Sequence, residues 1–137
     1  MKKFLGIVIL SFILLSSPAK SGVVGMGELT LHPETANEFV RYIKGKNQKK
    51  PMVFYITIDG QYSYSWYCPE AHCEPGGHTP RIKMCEDYYK QECKLFAQRR
   101  RIKWKNEFSQ GGKEGKINSK WSAAEIKAKL KELGFLE

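Results

Sequence analysis

Apolar positions recur along this chain with two different periods, and the switches between them outline its elements. From Pro33 to Lys44 the period is helical, with Ala36, Phe39, Val40 and Ile43 on one stripe. Pro33 and Glu34 suit the start of that helix, and Lys44 and Gly45 suit its end. Residues 52–68 read as a β-hairpin around Asp59-Gly60. A two-residue turn would set Val53, Tyr55 and Thr57 against Trp66, Tyr64 and Tyr62, leaving neither face clean. A three-residue loop with Gly60 in a left-handed bulge position shifts the pairing by one. Met52, Phe54 and Ile56 then oppose Trp66, Tyr64 and Tyr62, giving the single apolar face of a half-buried sheet. The second register is the expectation.

A helix follows, with Thr79 as N-cap, Pro80 at its first position, and Ile82, Cys85, Tyr88 and Tyr89 on one face to about Gln91. Cys93 to Asn106 reads as a second hairpin turning at Arg99-Arg100, which pairs Ala97 with Ile102 and Leu95 with Trp104. Ser109 to Lys120 carries Gly111, Gly112 and Gly115 among polar residues and reads as a flexible linker. Beyond it Ser122 and Glu125 form a capping box, with Trp121 and Ile126 at the hydrophobic-staple positions. Ile126, Leu130 and Leu133 line one stripe, and Gly134-Phe135 suits a Schellman-type end.

The first 21 residues have a different character. Lys2 and Lys3 precede an apolar run from Phe4 to Leu15, and small residues at Ala19 and Ser21 follow a helix-breaking Pro18. These are the parts of a cleavable signal peptide. The run is too short for the roughly 20 residues of a spanning helix, so no transmembrane anchor is expected. The expected organisation is a signal peptide at 1–21, an α+β domain at 22–108, a linker at 109–120 and an amphipathic helix at 121–137. The location would be periplasmic or secreted.

Charge and cysteine content narrow the picture further. Without Lys2, Lys3 and Lys20 the chain keeps 20 basic against 14 acidic residues, a net charge of +6. Residues 94–131 hold 12 Lys or Arg and only Glu107, Glu114 and Glu125. Such asymmetry points to an anionic partner or to a basic solvated surface. Four cysteines in a small exported domain imply two disulfides. Three pairings are open to four cysteines. Local geometry favours Cys68–Cys73 and Cys85–Cys93, because a reversal after the helix returns Cys93 towards Cys85.

Several groupings bear on chemistry. Cys68, Cys73 and His78, with His72 beside Cys73, resemble a zinc cluster, but the spacing fits no standard finger and the compartment oxidises thiols. No metal or cofactor is expected. A Cys–His nucleophile would draw on His32, His72 or His78, and no local motif supports it. A small ribonuclease-like hydrolase using His72 or His78 is the enzymatic alternative, with both histidines expected in a loop. More weight falls on a basic hairpin face made by Lys94, Phe96, Arg99, Arg100, Arg101, Lys103 and Lys105. Charges two apart on a strand align on one side, where they would track a polyanion while Phe96 stacks. The partners implied are anionic envelope polysaccharide, lipid headgroups or an envelope protein, an exported location disfavouring nucleic acid. The competing role for such lysines is to deter edge-to-edge pairing.

The strand ending in Asp59-Gly60, the run Tyr62-Ser63-Tyr64-Ser65-Trp66-Tyr67-Cys68, helix Cys85, Cys93-Lys94-Leu95-Phe96-Ala97 and Ile102-Lys103-Trp104 belong together in another sense. Over residues 54–104 the chain resembles an uncharacterised small exported, cysteine-paired domain of Gram-negative bacteria. Arg99-Arg100 stands where a Gly- or Asn-containing turn is usual. The resemblance implies an exported location and the same fold, and carries no activity. The resulting expectation is an α+β fold of order α-ββ-α-ββ-α, two disulfides, and a non-enzymatic binding module.

Overall fold

A computed structural model describes residues 22–69, 73 and 77–137; the expected signal peptide and His72 lie outside the described residues. The order is α1 (Pro33–Lys44), β1 (Lys50–Thr57), β2 (Ser63–Cys68), α2 (His78–Tyr89), β3 (Cys93–Gln98), β4 (Arg101–Ile102) and α3 (Ala123–Glu132). The strands form one antiparallel sheet in the order β2-β1-β3-β4. Helices α1 and α3 cover one face and α2 the other. The protein is thus an α+β fold fastened by Cys68–Cys73 and Cys85–Cys93, with Cα separations of 5.8 and 6.2 Å. Among the described residues no helix is long and apolar enough to cross a membrane.

Helix α1 has the expected limits. Pro33 opens it, His32 Nδ1 accepts from Glu34 N–H at 3.3 Å, and Gly45 closes it at a φ of 85°. Its buried face is Ala36, Phe39, Tyr42 and Ile43, with Thr35 added because its hydroxyl donates to Gln61 O at 2.7 Å. Helix α3 keeps its capping box, Ser122 N–H to Glu125 Oε1 at 2.9 Å and Glu125 N–H to Ser122 Oγ at 3.1 Å. It folds back on α1, burying Ile126, Leu130, Leu133 and Phe135 in the larger apolar cluster. At its end Phe135 N–H reaches Leu130 O at 2.8 Å across Gly134, φ 84°, a Schellman closure.

The first hairpin corrects the expected register. Val53 pairs with Trp66, Phe54 with Ser65 and Tyr55 with Tyr64. That is the alternative set aside for leaving neither face clean. Its apparent flaw disappears because neither face of β1 meets water: every residue from Pro51 to Thr57 is buried. Phe54 and Ile56 pack under α1, while Val53 and Tyr55 pack under α2 with Cys85, Cys93 and Leu95.

Helix α2 also starts earlier than expected. Gly77, not Thr79, is the N-cap, and His78 is the first helical residue. Pro80 is tolerated at the third position because the first four N–H groups of a helix have no internal partner. Cys85 is fully buried and Tyr89 packs beside it, but Tyr88 lies off the 82–85–89 line and is 76% exposed. Glu86 Oε2 accepts from Cys93 N–H at 3.0 Å, holding the reversal that brings the two cysteines together.

The second hairpin turns at Arg99-Arg100 and pairs Ala97 with Ile102, as expected. Arg99 sits at a φ of 52°, where a bulky side chain is strained by about 1 kcal/mol. Three tertiary bonds offset this: Arg99 N–H to Met52 O at 2.7 Å, Tyr42 OH to Arg99 O at 2.7 Å, and Arg100 Nε to Ile43 O at 2.8 Å. Leu95 does not pair with Trp104. The N–H groups of Lys103 and Trp104 both reach Phe96 O, and Leu95 instead bridges Val24 in parallel. Residues 23–27 thereby extend the sheet through four backbone bonds to Leu95 and Lys105. The glycine-rich stretch 109–120 runs beside β4, with Gly115 and Ile117 buried and Lys116 bridging Arg101.

Candidate functional site

The tip of the β3–β4 hairpin carries three consecutive arginines, and the fold separates their tasks. Arg100 is anchored through Nε to Ile43 O, one of the carbonyls that the end of α1 leaves without a helical partner. A guanidinium has five N–H donors, so four remain for another partner. Arg99 is exposed on the turn, and Arg101 is half-buried beside the Lys116 backbone. Lys103 holds Gly111 O through Nζ at 3.3 Å.

These side chains converge on two adjoining grooves. One, of about 390 Å³, is lined by Arg99, Arg100, Arg101, Lys103 and Lys116 together with Gln98 and Ile117. The other, of about 370 Å³, is lined by Lys50, Arg99 and Arg100 with Pro51, Met52 and the Cys68–Cys73 bridge. Neither groove has an acidic lining residue among the described residues. Among the described residues none of the six cations has a carboxylate within 4.0 Å. The nearby Glu114 is spent locally. The N–H groups of Gln110 and Gly112 hold its carboxyl below the usual range, and the Arg101 charge adds to this.

Not every residue of the expected basic face joins. Lys94 lies at the far end of β3, paired with Glu92 at 3.6 Å and donating to Gly22 O at 3.1 Å. Lys105 is exposed on another groove, beside Met26 and Phe108. Phe96 is completely buried, edge-on to Phe39 and Phe135. The skipped position between the Phe54–Ala97 and Tyr55–Leu95 pairs turns Phe96 and Ala97 both into the α1/α3 core. It is therefore a core residue and not a stacking platform. Lys50 and Lys116 were not legible as members, since each arrives from a distant segment with no local motif.

His78 lies on α2 and not in a loop, with Nδ1 and the Tyr55 hydroxyl 2.7 Å apart. Burial, then the Arg81 cation, lower its pKa from 6.5, against a hydrogen bond to the Gln98 side chain that raises it. Burial likewise pushes Tyr55 up to about 12. Arg81 itself lies over the Trp66 ring at 3.9 Å. Among the described residues no group of three or more His, Cys, Asp or Glu is placed to hold a metal ion. Compared with family models, curated proteins and solved structures, the chain matches none of them. What defines it is therefore its own architecture, a disulfide-fastened α+β sheet with a basic edge.

Proposed function

We propose that this protein is an exported, non-enzymatic binding module that engages an anionic polymer of the cell envelope through the Arg99–Lys103 edge. One observation carries the reading: six cations bracket two adjoining grooves, and among the described residues no carboxylate is paired with any of them. Unpaired cations of one sign on a rigid edge attract polyanions and hold them through charge-assisted hydrogen bonds. An exported location suits the two disulfides, which persist where thiols are oxidised. The signal peptide read at residues 1–21 and the resemblance over residues 54–104 point the same way.

The test is binding of polygalacturonate, and of vesicles containing anionic lipid, measured across salt concentrations. An Arg99→Asn/Arg101→Gln/Lys116→Gln variant spares Arg100, which braces α1, and gives the left-handed turn a residue that accepts it. Losing three contacts should weaken binding by at least about tenfold and flatten its salt dependence. Unchanged affinity and salt dependence for both probes would remove this edge from the function.

A further inference from the structure

The opposite edge of the sheet carries different chemistry. Among the described residues strand β2 has no neighbour beyond β1, and a groove of about 530 Å³ runs between it and α1. That volume falls in the range of about 300–1,000 Å³ usual for small-ligand clefts. One wall is aromatic: Tyr62 and Tyr89 stack at 4.9 Å between centroids, 11° apart, and Tyr88 stands edge-on to Tyr89 at 4.8 Å. Tyr62 remains 47% exposed. The wall is also fixed. The Tyr89 hydroxyl donates to Ser63 O at 2.6 Å, Thr35 Oγ1 to Gln61 O at 2.7 Å, and His32 N–H to Gly60 O at 2.9 Å.

The other lining groups are polar and unspent. Among the described residues the side chains of Glu34, Gln61, Ser63 and Ser65 make no hydrogen bond, although all four border the groove. Neither Lys nor Arg lines it among the described residues, and its second carboxylate, Glu38, is already paired with Arg41 at 2.5 Å. We infer that this groove binds an uncharged oligosaccharide, its sugar rings lying against the Tyr62–Tyr89 wall and its hydroxyls meeting Glu34, Gln61, Ser63 and Ser65.

Three features select that occupant. A pyranose presents weakly positive C–H bonds on one face and hydroxyls around its rim. The first suits the negative face of a tyrosine ring, and the second suits a carboxylate, an amide and two hydroxyls. Anionic polymers are disfavoured here, because Glu34 offers them repulsion and no Lys or Arg among the described residues lines the groove to compensate. A peptide adding as a fifth strand is disfavoured too, since the carbonyls of Gln61 and Ser63 already accept from Thr35 and Tyr89. The ordered wall also lowers the entropy cost of binding.

The experiment is calorimetric titration of the mature protein with the β-1,4 tetramers of N-acetylglucosamine and of glucose, with trilysine as the charged competitor. At least one tetramer should bind saturably, with an affinity that changes less than about twofold between low and high salt. Tyr62→Ala should weaken it by about tenfold or more, and Gln61→Ala by several-fold, at unchanged circular dichroism. Gln61 is exposed, so its variant keeps the test open should Tyr62→Ala unfold. The Arg99→Asn/Arg101→Gln/Lys116→Gln variant should bind the sugar as the parent does. Absence of binding by both tetramers, or sugar binding indifferent to both groove variants, would overturn the inference. Salt-sensitive binding of trilysine in place of either sugar would overturn it equally.

Discussion

Gly25 is the tightest point of the sheet extension formed by residues 23–27, and adding one methyl there has a calculable consequence. A Cβ on Gly25 would lie within 3.0 Å of three atoms of the Trp104 ring. Its φ is not left-handed, so Gly25→Ala acts through this clash alone. The molecule has two ways to respond. Trp104 can shift, although it is 2% exposed, donates from Nε1 to Gly27 O at 2.8 Å and packs against Phe96. Such overpacking costs about 1–3 kcal/mol. Alternatively residues 22–27 leave the sheet, losing the bonds of Gly25 N–H to Leu95 O, Leu95 N–H to Val23 O, Gly27 N–H to Lys105 O and Lys105 N–H to Gly25 O. At about 1 kcal/mol net each, detachment costs roughly 4 kcal/mol before the exposure of Trp104 is counted. The cheaper response prevails, so Gly25→Ala should cost about 2–3 kcal/mol and lower Tm by roughly 10 °C. Urea denaturation followed by Trp104 emission, in a Trp66→Phe/Trp121→Phe background, reads both stability and ring position. A protein lacking residues 22–27 sets the ceiling. Parental stability in Gly25→Ala, or a loss larger than that of the deletion, would refute the reasoning.

Two further outcomes follow from buried groups. His78 has its pKa lowered on folding, chiefly by burial, so the folded state binds fewer protons than the unfolded state. Its contribution is present above the unfolded value of about 6.5 and is lost as pH falls through the folded one. The urea midpoint should therefore drop on acidification more steeply in the parent than in His78→Gln, and parallel curves would contradict this. Replacing the buried Cys85 and Cys93 by alanine opens a bridge of sequence separation 8 and should cost about 2.5 kcal/mol of unfolding free energy. A loss below about 1 kcal/mol would show that the bridge constrains little in the unfolded chain.

The limits of α1 and α3 were legible because their signals are local. Pro33, Gly45, the Ser122–Glu125 box and Gly134 act within one turn of chain, and all are found where the pattern places them. The β1–β2 register was not legible for a specific reason. Amphipathic reasoning assumes one wet face, whereas α2 lies over the Tyr55 side of the sheet and removes that assumption. The same shift moves Tyr62 from a core position to the groove wall. Phe96 illustrates a second limit, since alternation along β3 fails at a skipped pairing that only β1 reveals. For the basic site, composition located the arginines but not their company. Lys94 and Lys105 leave the cluster and Lys50 and Lys116 enter it through contacts between distant segments.

The manner in which the early chain finds its partners has a bearing on how the molecule is assembled. Among the described residues the backbone of residues 23–27 pairs with Leu95 and Lys105, and Leu31 N–H bonds to Phe135 O at 2.9 Å. Phe135 itself is fully buried against Phe96. A chain emerging N-terminus first therefore leaves Val23 O and Gly25 N–H unpaired until Leu95 has emerged, Gly27 N–H until Lys105 has, and Leu31 N–H until Phe135 has followed. Contacts of such long sequence separation form late. Closure of the fold therefore waits on Lys105 and Phe135, which tie the segment before α1 to a sheet and core already formed by the residues between them.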